Sequence, residues 1–259
     1  IIGREPFHWR GDKRGLEEFN PVFMGLHGDD EQLTDAEMQA FEDYLATITF
    51  PPNPFRNVDN TLPEDLPLDG HFATGRYELE PGEPLPNGNA QRGLDLYRDS
   101  TRRLDRGVAS CVICHTLPGG DGTSNFWNGN AWAPMPVGPK GEKNLMLVSI
   151  DGFTNVTMKV PHLRNLYDKV GMNMTATTSR SGFGFGHDGS FDSIERFLAE
   201  PVFRLRNDQE LADMTALMLA FSGSDFNVTP AAGPLEPPGE PSKDVHAAVG
   251  VQVTLSGAS

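Results

Sequence analysis

Two segments of the chain repeat apolar residues at helical spacing, and both begin with a capping signal. The first begins at Thr34, and Glu37 completes a capping box three residues later. The second begins near Asn207, with Glu210 in the matching position. These patterns predict two amphipathic helices. Their apolar faces comprise Met38, Phe41, Leu45 and Ile48 in the first helix, and Leu211, Met214, Met218 and Phe221 in the second, which Gly223 ends.

Between these two helices, the sequence predicts a connector, a third helix and a short strand. Residues 50–89 are rich in proline and acidic residues, and we expect them to form an extended connector over the surface. Residues 89–99 are predicted to form a third helix, with Leu94 and Tyr97 on one face. A short strand is predicted at 145–148, within a long glycine-rich loop.

The sequence contains two copies of an internal repeat, and each copy ends with one of the capped helices. His8-Trp9-Arg10-Gly11 and then Pro21-Val22-Phe23 precede the first helix. His187-Asp188-Gly189-Ser190 and then Pro201-Val202-Phe203 precede the second. The shared order of these segments predicts that the first copy is a partial unit of the same kind as the second.

Cys111-Val112-Ile113-Cys114-His115 has the C-x-x-C-H spacing that attaches c-type haem. Cysteines one helical turn apart can add to the two vinyl groups of one porphyrin, and the next residue then binds the iron. The alternatives are a chance pair, a structural disulfide, a redox dithiol, which needs a βαβ context, and a zinc site, which needs a second pair. These are the only two cysteines in the sequence. We therefore predict one covalent haem on Cys111 and Cys114, with His115 as the proximal iron ligand.

The composition limits the partners of such a protein. The formal net charge of −15 and the isoelectric point of about 4.8 disfavour nucleic acid and anionic lipid, and suit a redox partner with a basic docking face. No apolar run approaches the roughly 20 residues of a transmembrane helix. Because haem c is attached outside the cytoplasm, we expect an exported bacterial protein of the periplasm or the extracellular space. Its signal peptide is expected upstream of Ile1.

Lys159-Val160-Pro161-His162-Leu163-Arg164-Asn165, followed by the His187-Asp188-Gly189 turn, resembles the di-haem cytochrome c peroxidase superfamily, which includes enzymes that form tryptophan tryptophylquinone. The resemblance covers about residues 90–222 well and residues 6–50 more weakly. It implies a mainly α fold: a cytochrome c-like helical haem domain with long loops, preceded by a partial helical repeat of a second such domain. The predicted divisions are 1–49 for the partial unit, 50–89 for the connector, 90–225 for the cytochrome c domain and 226–259 for a proline-rich linker and strand-like tail.

The sixth iron ligand is predicted from a departure from the family pattern. The family takes a methionine from the helix after the histidine-glycine turn, where this chain has Leu198-Ala199-Glu200-Pro201. An enlarged loop precedes that turn and contains Met172 and Met174. Met172 is the first choice, Met174 the fallback and His187 the third candidate, each with the alternative of a purely structural role.

Arg164 has two candidate roles. It can bind a haem propionate with its forked guanidinium group, which we favour, or pair with Asp188 to hold the loop. In related peroxidases a calcium ion lies between the haem domains, but no residue of this sequence locates one. Calcium therefore has no assigned ligands.

The leading functional hypothesis is an exported c-type cytochrome that carries electrons between redox partners, and not an enzyme by itself. The alternative is the electron-delivering haem half of a di-haem peroxidase or oxidase, whose second C-x-x-C-H is absent from residues 1–259. In that case we expect an upstream segment or a partner chain to complete the unit. The electron-transfer hypothesis requires both axial positions of the iron to be filled.

Overall fold

The computed structural model describes residues 5–137, 145–149, 155–169, 184–186, 189–229 and 233–250. The chain divides into two compact units, of which the first contains residues 1–49 and 122–161 and the second contains residues 50–121 and 162–259. The α-helices of the described residues are α1 (Pro21–Gly25), α2 (Asp35–Ala46), α3 (Ala90–Arg98), α4 (Cys111–Cys114), α5 (Ile194–Leu198) and α6 (Asp208–Ala220). The strands are β1 (His115–Thr116), β2 (Asp121–Gly122), β3 (Asn125–Trp127), β4 (Trp132–Pro134), β5 (Leu145–Ser149) and β6 (Asn155–Lys159). Short 3₁₀ helices span Leu16–Phe19, Leu166–Lys169 and Val245–Ala247.

The expectation of a mainly α, cytochrome c-like fold is wrong. Helices make up 29% of the structure and strands 11%, and the sheets are small two-stranded pairs. The chain contains 21 prolines and 28 glycines, and both disfavour helix interiors: proline lacks the backbone donor, and glycine loses more conformational freedom on folding. The first unit also contains the antiparallel hairpins β3–β4 and β5–β6, which lie outside the predicted partial unit at 1–49.

In the first unit, α2 forms where the capping signal predicts it. The Glu37 amide donates to the hydroxyl of Thr34, and the Thr34 amide donates to the carboxylate of Glu37, so the capping box is complete. Of the predicted apolar residues, Met38 is buried and Leu45 is half-buried, whereas Phe41 and Ile48 are 37% and 61% exposed. The predicted apolar face of this helix is therefore partly exposed among the residues that the structure describes.

The core of the second unit lies between α3 and α6, which pack directly against each other. Asn89 and Asn207 cap these helices with their side chains, and both helices begin where the sequence predicts. At Gly93 an added Cβ atom would lie 2.3 Å from the backbone oxygen of Asp213, so only glycine permits the observed approach. The largest fully buried apolar side chains of this core are Leu94, Tyr97, Leu104, Leu117, Leu211, Met214, Leu217, Leu219 and Phe221.

Residues 50–89 contain no helix or strand, yet they are more than a surface connector. Leu68 and Leu85 are buried in the core of the second unit. Asn53 donates to the backbone oxygen of Leu219, and Arg56 donates from Nε to that of Ala220, both at 2.8 Å. These side chains satisfy carbonyl groups at the end of α6, which lack partners within the helix.

Candidate functional site

The C-x-x-C-H motif forms the single helical turn α4 and the residue that follows it. Ser110 precedes the turn in an extended conformation, and the chain leaves the helix at His115, whose φ and ψ are −115° and 96°. Cys111 and Cys114 are three residues apart on this turn, so their side chains emerge from the same face. Both sulfurs are free thiols, and both residues are partly exposed. The donor set therefore fits a covalently attached haem, with two thiols on one face and an imidazole on the next residue.

Both thiols are held in the neutral form. Burial, reinforced by the charge of Asp105, raises the pKa of Cys111 to about 12 and that of Cys114 to about 11. A reactive cysteine has the opposite property, because its thiolate is stabilised by nearby positive charge or a helix N-terminus. The pair therefore lacks the electrostatic environment of a redox-active dithiol.

The backbone of His115 is held from two sides. Its amide donates to the backbone oxygen of Cys111, and its own oxygen accepts a hydrogen bond from the hydroxyl of Tyr97. Tyr97 lies in α3 and is completely buried, and its ring packs against that of Phe221 with 5.7 Å between the centroids. The position of the histidine is thus tied to the helix pair that forms the core.

The loop after the motif is packed against the segment at 162–165. The Gly120 amide donates to the backbone oxygen of Thr116 at 2.6 Å, and the Leu163 amide donates to that of Gly120 at 2.8 Å. Gly120 has a φ of +72°, and an added Cβ would lie 2.5 Å from the ring of Phe221. Glycine is required here both for the turn and for the close approach of the ring. Residues 162–165 and the C-x-x-C-H motif therefore belong to one packed region of the second unit.

Arg164 lies in that region and is 5% exposed. It forms a two-pronged ion pair with Asp121 at 3.0 and 3.1 Å, and also donates to Ser242 and to the backbone oxygen of Gly223. These bonds tie the loop after the motif to the chain beyond α6. The predicted alternative partner Asp188 lies outside the described residues. The favoured role of Arg164 at a haem propionate stays a prediction.

The candidates for the sixth ligand lie outside the described residues. This holds for Met172, Met174 and His187, so their order of preference stays a prediction. Within the part of the chain that the structure describes, no group of three or more histidine, cysteine or acidic side chains could hold a metal ion. Calcium therefore gains no candidate ligands from the described residues.

Three features of the second unit were not found from the sequence. The first is the hydrogen bond from Tyr97 to His115, since the periodicity indicated only that Tyr97 faces the core. The second is Asn165, whose amide oxygen and nitrogen are buried without a hydrogen-bond partner and whose φ is +54°. The third is a buried pair in which His71 Nδ1 lies 2.9 Å from the carboxylate of Glu195. No local sequence pattern indicates these features, because the two paired residues are distant from their partners in sequence and Asn165 has no hydrogen-bond partner for its side chain.

Comparisons with known proteins add no relative. No protein-family model, no curated protein and no solved structure matches the chain. The resemblance to the di-haem peroxidase superfamily therefore depends on the motif residues alone. None of the helices in the described ranges is long and apolar enough to cross a membrane.

Proposed function

We propose that this chain is a c-type haem protein that carries one covalent haem on Cys111 and Cys114 and transfers electrons between redox partners. The observation that carries the proposal is the geometry of α4, which presents two free thiols on one face with His115 next in the chain. When bound, haem iron supplies a one-electron ferric–ferrous couple. In this proposal Cys111 and Cys114 would attach the haem, and His115 would be its proximal ligand.

Attachment needs no oxidant or reductant. Each thiol adds across one vinyl double bond, so that sulfur forms a bond to carbon and the thiol hydrogen is transferred to the other vinyl carbon. Cys111 and Cys114 together fix the group through two bonds from one helical turn. His115 then has its backbone held at both its amide and its carbonyl oxygen, which limits the positions its imidazole can take.

The environment of the thiols favours this function over a redox dithiol. The raised pKa values of Cys111 and Cys114 keep both sulfurs protonated at neutral pH. A disulfide exchange enzyme needs a thiolate as nucleophile. A zinc site would need further ligands, and the sequence contains no other cysteine.

The location and partner follow from the same proposal. Covalent haem attachment implies an exported protein, in the periplasm or outside the cell. The net charge of −15 favours a redox partner that docks through a basic face, because opposite charges accelerate encounter. The resemblance to di-haem peroxidases suggests that the physiological unit includes a second haem, supplied by an upstream segment or a partner chain.

The first test measures attachment. The chain is expressed with an export signal in a host that matures haem c, and its intact mass is measured under denaturing conditions. We expect the polypeptide plus one haem, and no covalent haem in the double variant Cys111→Ala/Cys114→Ala. Met158→Ala is the control and should retain one haem. An unmodified mass for the unaltered chain contradicts the proposal.

The second test concerns the sixth ligand. If Met172 binds the iron, the ferric protein has a sulfur-to-iron charge-transfer band, which Met172→Ala abolishes and Met174→Ala leaves intact. Loss of the band only in Met174→Ala assigns the fallback ligand. A band that is absent from the unaltered holoprotein contradicts methionine ligation and favours His187.

A further inference from the structure

The hydroxyl of Tyr97 has a partner that distinguishes it from the other buried tyrosine hydroxyls of the second unit. Tyr77 and Tyr167 each bury a hydroxyl that has no hydrogen-bond partner. The hydroxyl of Tyr97 donates to the backbone oxygen of His115. Since tyrosine hydroxyls are not generally satisfied in this core, the bond at Tyr97 is a specific feature of the haem motif and its surroundings.

The surroundings of Tyr97 keep this hydroxyl as a donor. Burial raises the pKa of Tyr97 well above its ordinary value. The side chain is fully buried, and the ring of Phe221 packs against it. The hydroxyl therefore stays protonated and stays beside the attachment residues.

The bond completes the restraint on the backbone of His115. This residue ends α4, so its carbonyl oxygen has no partner within the helix. The amide of His115 bonds to Cys111 and its carbonyl oxygen to Tyr97, which fixes the peptide groups on both sides of its Cα. The direction of the Cα–Cβ bond is then fixed, and the imidazole can turn only about its own side-chain torsions.

We infer that Tyr97 is a positioning residue, which sets the orientation of the His115 imidazole at the haem iron by holding the histidine's backbone carbonyl. The inference rests on the proposed function, because it assigns a role toward the iron that His115 binds. Groups outside the ligand shell commonly orient ligands and adjust the electronic state of the metal. In a ferric haem, the orientation of the ligand plane determines how unpaired spin is distributed among the pyrrole rings.

The test compares two tyrosine-to-phenylalanine variants of the holoprotein. Tyr97→Phe removes the hydroxyl that bonds to His115, whereas Tyr167→Phe removes a buried hydroxyl without a partner in the same unit. Both variants should retain one haem by intact mass. In proton NMR of the ferric protein, Tyr97→Phe should change the order or spread of the haem methyl resonances and shift the reduction potential. Tyr167→Phe should leave both as in the unaltered protein.

Failure of the inference differs from failure of the proposed function. If the unaltered chain carries no haem, the proposed function is wrong. If all three proteins carry haem and Tyr97→Phe has the methyl resonances and potential of the unaltered protein, Tyr97 is only a packing residue.

If Tyr97→Phe does not accumulate with haem, ring-fluorinated tyrosine is incorporated in the Tyr167→Phe background, where it makes the Tyr97 hydroxyl a stronger donor. The methyl pattern must then change, and an unchanged pattern overturns the inference.

Discussion

Replacing Gly93 with alanine tests the packing of the two helices that support the haem motif. The added Cβ would lie 2.3 Å from the backbone oxygen of Asp213 and 2.9 Å from the Cβ of Leu217. Ordinary contact begins near 3.4 Å, so α3 and α6 would have to separate by roughly 1 Å. The nearest atom belongs to the backbone of α6, and no side-chain rotation removes the clash.

The cost follows from opposing contributions. Overpacking in a well-packed core costs about 1–3 kcal/mol, and a separation of this size also weakens dispersion contacts along the interface. Alanine recovers about 1 kcal/mol through its higher helix propensity. From these contributions we expect Gly93→Ala to lower the free energy of unfolding by about 1–2 kcal/mol. For a chain of this size, this corresponds to a fall in Tm of about 2–8 °C.

The assay is urea unfolding of the holoprotein followed by far-ultraviolet circular dichroism. The midpoint should fall while the dependence on urea concentration stays unchanged. Gly25→Ala is the matched control, because this glycine ends α1 and has nothing within 4 Å of an added Cβ. That variant should be neutral or more stable by up to about 1 kcal/mol. A Gly93→Ala protein as stable as the control would refute the close approach of α3 and α6.

Two further predictions concern buried charged groups of the second unit. Arg56→Met leaves the backbone oxygen of Ala220 at the end of α6 without its donor. It should lower the free energy of unfolding, measured in urea, by about 2–4 kcal/mol. The control Arg206→Met changes an exposed side chain and should lower it by less than about 0.5 kcal/mol. For Glu195, burial alone would raise the pKa, but the hydrogen bond and charge of His71 lower it below its ordinary 4.5. The Glu195 carboxylate therefore stabilises the fold fully above pH 4.5, and this contribution is lost as the pH falls through the lowered pKa. Glu195→Gln should reduce the dependence of the free energy of unfolding on pH in this acidic range. An unchanged dependence would refute the pairing with His71.

The elements that could be predicted are those with local signals. Thr34, Asn89 and Asn207 each accept a hydrogen bond from the backbone of their own helix, so the start of each helix is determined within a few residues. The C-x-x-C-H motif is equally local, because its proposed function depends on the geometry of one helical turn. The burial of Leu211, Met214, Met218 and Phe221 was predicted from spacing and is confirmed.

The fold class could not be predicted, because much of the packing uses contacts between distant residues. Asn53 and Arg56 lie in a proline-rich segment that has no helical or strand periodicity, and their partners are more than 160 residues away. The expectation of a helical domain gave such segments no part in the core. Arg164 presents the same difficulty, since Asp121 and Ser242 lie on opposite sides of it in the sequence.

The support of the C-x-x-C-H motif therefore depends partly on a segment without regular secondary structure. Arg56 and Asn53 satisfy the carbonyl groups where α6 ends, and Phe221 follows directly after that helix. Phe221 packs against Tyr97, whose hydroxyl holds the carbonyl of His115. Each step is a contact within the second unit, and together they connect the proline-rich segment to His115. A helix as short as α4 cannot hold its own termini, so its rigidity has to come from such contacts.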